Sequence, residues 1–157
     1  SASLVTIITP FLTVVLTFLL LSLINHTKLG MAMRAVSKDY ETSQLMGIKI
    51  NKVISATFAI GSLLAFIGSL LYFTDRMTVF PFSGTLPGLK CFVAAVLGGI
   101  GSIPGAVVGG FILGIGETLL VALGYSTFSD AFTFAILIVM LLFRPTGLFG
   151  EKVTDKV

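Results

Sequence analysis

Residues 25–52 read NHTKLGMAMRAVSKDYETSQLMGIKINK. This polar stretch holds five of the ten Lys and Arg residues: Lys28, Arg34, Lys38, Lys49 and Lys52. Its surroundings are of the opposite character. On one side, Pro10 through Thr27 carries no charge, and on the other Val53 through Phe73 carries none. The first run, about 18 residues at ~1.5 Å of helical rise each, spans about 27 Å, enough to cross most of a ~30 Å hydrocarbon layer. The second, of about 21 residues, crosses it fully. The polar stretch is therefore read as a connector between two membrane helices, and the first helix has room to run on towards Arg34.

The totals agree. Of 157 residues 55% are hydrophobic and 11% charged, with a mean hydropathy of +1.07. Soluble domains carry about 25% charged residues, so this chain cannot cover a water-facing surface with charge, and its apolar residues fall in long runs. The net charge of +3 is small and follows from where the cations sit, which argues against nucleic acid as a partner. A single cysteine, Cys91, excludes an internal disulfide and a cysteine-based metal site. The one histidine, His26, stands at a membrane edge with no second ligand and reads as an interfacial polar residue. The start Ser1-Ala2-Ser3 has no basic region of a signal peptide, and the chain reads as a piece of a longer membrane protein.

Along the chain, Thr9-Pro10 reads as a helix start, with Thr as cap and Pro at the first helical position. In the second span Asn51 is the expected cap, and Gly61, Ala65 and Ser69 form a face of small residues suited to close helix approach. Asp75 to Lys90, with Pro81, Ser83, Gly84, Pro87 and Gly88, reads as a loop in which Asp75 and Arg76 are solvated. Cys91 to Gly124 is too long for one span. It breaks at Gly98-Gly99-Ile100-Gly101-Ser102-Ile103-Pro104-Gly105, where glycines and a proline interrupt a helix. The expected result is a short helix over about 89–97, a turn, and a longer helix over about 104–123. Gly101, Gly105 and Gly109, then Gly110 and Gly114, make small-residue stripes. A broken element at membrane depth needs protein or a water-filled cavity around its freed backbone groups, so Gly98, Gly99, Gly101, Ser102, Pro104 and Gly105 are candidates for a translocation pathway. Close helix packing is the other reading. The last span covers about 127–143 and stops at Arg144-Pro145, followed by a short polar tail, Thr146 to Val157.

Charge asymmetry gives an orientation. Residues 25–52 and the tail (Arg144, Lys152, Lys156) hold eight cations, against Arg76 and Lys90 elsewhere, which puts the connector and C-terminus in the cytoplasm. Parity then requires the 91–124 region to begin and end outside, as a hairpin does.

No Ser/His/Asp set, phosphate-cradling loop or paired cysteines are visible, so no catalytic, metal or ATP site is expected in this chain. Glu117 is the one ionisable residue inside an apolar span, and such residues default to a functional reading. No cationic partner stands at an obvious spacing. A Glu at the outer interface, or one bonded to a neighbouring helix, is the alternative. Within the connector, Ser37 or Asp39 can cap a helix starting near Tyr40, with Glu41 in its first turn and Gly47 ending it. A helix of about two turns between two spans can transmit a push, whereas a generic amphipathic interfacial helix would only rest there.

These residues carry a resemblance. Gly30 to Asp39 followed by Glu41-Thr42-Ser43 through Gly47 and Ile48 resembles the EAA-type loop of ABC-importer permeases, with Glu41-Thr42-Ser43 where that loop has Glu-Ala-Ala. Together with Pro87-Gly88-Leu89-Lys90, Phe92 through Ala106, and Arg144-Pro145-Thr146-Gly147-Leu148-Phe149-Gly150, it resembles the branched-chain amino-acid permeases of the LivH/LivM type, in order along nearly the whole chain. The two departures, Thr42 and Ser43, are small residues for small. The resemblance implies an all-α integral membrane bundle with a glycine-broken helical hairpin and a short cytoplasmic coupling helix, residues 1–157 forming the C-terminal part of one permease domain in a bacterial inner membrane. It implies a second permease subunit, two ATP-hydrolysing subunits that bind the ATP, a periplasmic substrate-binding protein and surrounding lipid. Ser37, Lys38, Asp39, Glu41, Thr42, Ser43, Gly47 and Ile48 would then contact the ATPase. Two other classes remain: an ion-coupled secondary transporter or channel using Glu117, and a non-transporting membrane scaffold.

Overall fold

The computed structural model describes residues 4–150, all helix and turn with no strand among them. The chain divides into two compact units, Ser1–Val79 and Phe80–Val157.

In the first unit, α1 (Leu4–His26) begins earlier than its sequence suggests, with Pro10 inside it. Thr9 is not a cap: its hydroxyl donates to the Val5 carbonyl at 2.7 Å, and Thr13 and Thr17 repeat the pattern onto Thr9 and Thr13. In lipid a helix is the one way for residues 4–9 to satisfy their own backbone, which outweighs the N–H that Pro10 lacks. The helix does not run on towards Arg34. It breaks at Thr27, whose extended backbone (φ −107°, ψ 155°) and hydroxyl, accepting from the Gly30 N–H, start α2 (Lys28–Lys38). The turn is sharp. A Cβ on Gly30 would lie 2.1 Å from the Ile24 carbonyl oxygen, although six residues along a straight helix are about 9 Å apart. Next come α3 (Tyr40–Leu45) and α4 (Ile50–Arg76). Asn51 lies inside α4 rather than at its cap, a position Lys49 takes without a side-chain bond. Ile50 and Val53, on the first turn of α4, are buried. At the far end Arg76 lies over the Tyr72 ring, 4.7 Å from its centre.

The second unit holds α5 (Thr85–Gly98), α6 (Ile103–Ala122), a 3₁₀ turn (Ser126–Phe128) and α7 (Ser129–Phe143). The expected loop through Lys90 ends at Gly84, because Pro87 falls within the first helical turn, where an N–H has no partner to lose. The hairpin is as expected, with its turn at residues 99–102. The described part of the tail is not a free polar strand. After α7 it folds back so that Leu148 N–H donates to Leu97 O and Phe149 N–H to Gly98 O, each at 3.0 Å. Residues 151–157, including Lys152 and Lys156, lie outside the described residues.

Four segments are long and apolar enough to cross a membrane: Leu4–His26, Ile50–Arg76, Ile103–Ala122 and Ser126–Phe143. The 14-residue α5 is apolar but shorter, about 21 Å. Large side chains such as Phe11, Phe18, Phe58 and Phe66 point outward from the spans, as a lipid-facing surface allows.

Candidate functional site

The connector is built from short-range rules. Asp39 serves two helices: its N–H donates to Ala35 O at the end of α2, and its carboxylate accepts from the Thr42 N–H (3.1 Å) and the Thr42 hydroxyl (2.5 Å) at the start of α3. Ser37 does not share this role, since its hydroxyl turns back to Arg34 O. The Thr42 hydroxyl, then its N–H, hold the Asp39 carboxyl below the ordinary aspartate range. At the other end Gly47 takes φ +83°, Ile48 N–H donates to Ser43 O and Gly47 N–H to Gln44 O. This is the paired closure of a Schellman cap, for which a left-handed glycine is favoured. Six residues cannot hold a helix by propensity alone, so the two caps do it.

Ser37, Lys38, Asp39, Glu41, Thr42 and Gly47 are exposed, and Ile48 is half-buried. Ser43 differs: it is 4% exposed and its hydroxyl donates to Asp39 O, so it anchors α3 and has no outward face. What α3 presents at its end is apolar, with Leu45 87% and Met46 78% exposed. Two apolar residues at the end of a polar helix were the sequence signal for this surface.

In the second unit, Gly98, Gly99, Gly101, Ser102, Pro104 and Gly105 meet at the hairpin turn. Gly99 and Gly101 carry φ of +107° and +94°, and Ser102 caps α6 by accepting from Gly105 N–H at 3.2 Å. Backbone meets backbone here: a Cβ on Gly98 would lie 2.0 Å from Gly105 O, one on Gly105 2.3 Å from Gly98 O, and one on Gly109 2.4 Å from Ala94 O. Gly147 of the returning tail is equally close, 2.4 Å from the Gly99 Cα. Gly110 and Gly114, by contrast, have nothing within 4 Å. The two stripes are thus unlike: Gly105 and Gly109 of the first, with Gly98, form a packed seam, Gly101 at the turn meets nothing within 4 Å, and the second stripe is open.

Glu117 is not at the turn. It stands 12 residues along α6 from Gly105, about 18 Å away, near the other end of the unit. Nor is it without a cation, contrary to the reading from spacing. Lys90 Nζ lies 3.0 Å from Glu117 Oε1 and 2.8 Å from Asp130 Oδ1. The Thr133 hydroxyl, 0% exposed, donates to Glu117 as well. One ammonium from α5 therefore joins carboxylates of α6 and α7. Lys90 and Glu117 are 27 residues apart, and only the hairpin brings them together. Among the described residues no cluster of three or more His, Cys, Asp or Glu could hold a metal ion. Cys91 is a free, exposed thiol.

Comparison with known proteins agrees with this architecture. Residues 1–141 match the family described as branched-chain amino acid transport system / permease component. The high-affinity branched-chain amino acid transport system permease protein LivH of Escherichia coli K12 is 42% identical over 134 residues, 85% of this chain and 44% of that protein. BraD of Pseudomonas aeruginosa, of the same description, matches equally over the same shares. A probable branched-chain amino acid transport permease protein LivH of Methanocaldococcus jannaschii is 30% identical over 151 residues, 91% of this chain and 47% of that protein. The chain thus spans about half the length of the curated relatives it matches. No solved structure matches it. With four helices fit to cross a bilayer and a family match over residues 1–141, the chain is a multi-pass membrane protein that belongs to the branched-chain amino acid transport permease family.

Proposed function

We propose that this chain is part of the permease of a binding-protein-dependent ABC importer, carrying branched-chain or related amino acids across a bacterial inner membrane. A second permease subunit completes the pathway, two ATPase subunits bind and hydrolyse ATP, and a periplasmic protein delivers the substrate. The connector and C-terminus face the cytoplasm, an orientation supported by the excess of cations there. The observation that carries the reading is α3. It is a helix closed at both ends by Asp39 and Gly47, anchored by Ser43, and apolar at its exposed tip. Held between two spans, it can pass a displacement of the ATPases to α1 and α4. Ser37, Lys38, Asp39, Glu41, Thr42, Gly47 and Ile48 make the docking surface, with Leu45 and Met46 at its centre. The glycine hairpin forms a stiff wall beside the pathway. The ion pair of Glu117 with Lys90 weighs against an ion-coupled transporter, for which a lone membrane carboxylate was the motive.

The test is co-purification of the full-length permease with its ATPase subunits in mild detergent. Wild type retains the ATPase, and a Glu41→Arg, Leu45→Asp variant loses it while still folded. Retention by both versions would remove α3 as the docking site. If neither binds an ATPase, and Glu117→Gln abolishes transport, the ion-coupled reading takes its place.

A further inference from the structure

Among the described residues the cations of the connector serve no ion pair. Lys28, Arg34, Lys38, Lys49 and Lys52 have no carboxylate partner among the described residues. Their position is constrained. The connector joins two membrane-crossing helices, so it lies at a bilayer surface. The Thr27 break and the contact of Gly30 with Ile24 turn α2 sharply off the axis of α1. It cannot project into water as an extension of that span and instead lies across its end.

The composition of α2 suits that place. Met31, Arg34 and Lys38 recur at i, i+3 and i+7 and so share one face, and all three are exposed, Met31 by 64%. Two cations in line beyond a long apolar side chain are what a helix offers to the boundary between acyl chains and headgroups, where aliphatic stems stay in the apolar layer and charges reach phosphate. From this geometry we infer that the Met31–Arg34–Lys38 face of α2 is a docking surface for anionic phospholipid headgroups. Charge complementarity selects the occupant: a zwitterionic headgroup offers no net charge to two unpaired cations, whereas an anionic one draws each cation about fivefold. The inference concerns the membrane rather than the substrate; of its two cations Lys38, at the end of α2, also borders the ATPase surface proposed above, whereas Arg34 lies outside it.

The experiment uses the full-length permease in its purified complex, placed in nanodiscs of phosphatidylcholine with or without phosphatidylglycerol. Lipid retained after mild delipidation is counted by native mass spectrometry. Wild type is expected to enrich phosphatidylglycerol. Arg34→Gln or Lys38→Gln is expected to reduce that enrichment about fivefold each, and the double variant about 25-fold. High salt should weaken it. The charge-preserving pair R34K/K38R is expected to keep the enrichment. So is Arg76→Gln, which removes one cation at the other end of α4. Equal retention by wild type and the double glutamine variant overturns the proposal. So does loss of an ATPase subunit with lipid retention unchanged, which would assign the charges to a protein partner.

Discussion

Replacing Gly105 by alanine isolates the seam between α5 and α6. Its Cβ would lie 2.3 Å from Gly98 O and 2.9 Å from Gly98 C, where ordinary contact begins at 3.4 Å. Both neighbours are backbone, so no rotamer can yield and the helices must part by about 1 Å. Overpacking of this kind costs about 1–3 kcal/mol. The same movement strains the bonds that Leu148 and Phe149 donate to the end of α5, each worth about 0.5–1.5 kcal/mol. Alanine gains about 0.5–1 kcal/mol over glycine within a helix, which only partly offsets this. The expected net is a loss of about 2–4 kcal/mol. The control lies on the same helix. Gly110→Ala and Gly114→Ala meet nothing and should leave the isolated subunit unchanged or more stable by about 0.5–1 kcal/mol. Thermal unfolding of the full-length permease in detergent, read by fluorescence size-exclusion, measures both. A Gly105→Ala protein as stable as wild type, or a Gly110→Ala protein equally damaged, would refute the packed-seam argument.

Three further perturbations probe the other elements. At Gly47 (φ +83°) no neighbour is in reach, so alanine there should cost about 1–2 kcal/mol of connector stability through backbone strain alone, seen as faster hydrogen exchange over residues 40–48. Asp39→Ala should raise the same exchange by removing the cap, while Asp39→Asn should not. Because the folded Asp39 carboxyl is held low, its contribution is complete above the ordinary aspartate range and is lost only as pH falls through the folded value; connector protection should therefore hold constant between pH 7 and pH 5 after correction for intrinsic exchange. Lys90→Met should destabilise the second unit by leaving two carboxylates unneutralised, and Glu117→Gln on that background should recover part of the loss in a double-mutant cycle.

Much of this was legible in the sequence because lipid simplifies the problem. Apolar runs of sufficient length must be helices, so α1, α4, α6 and α7 could be read from composition, and Gly47 and Asp39 announced α3 through local rules. The start of α1 was misplaced because Pro10 reads as an N-terminus in water, whereas the bilayer forces helix on the residues before it. The Lys90–Glu117–Asp130 cluster and the return of the tail onto α5 were out of reach. Both join residues far apart in sequence, and neither has a period or a spacing. Nor could the pattern tell the packed glycines 98, 105 and 109 from the open 110 and 114; only the crossing of the two helices decides which stripe is touched.

The return of residues 147–150 has a consequence for the order of synthesis. Two carbonyls at the end of α5 find their donors in residues made about fifty positions later, so the hairpin leaves the ribosome with part of its backbone unanswered in an apolar setting. The end of α5 gains these last two backbone bonds only once the chain has emerged past Phe149. A stop codon placed just before Leu148 would spare every described span yet leave the hairpin without these two bonds, and the truncated subunit is expected to unfold at a lower temperature than the full chain.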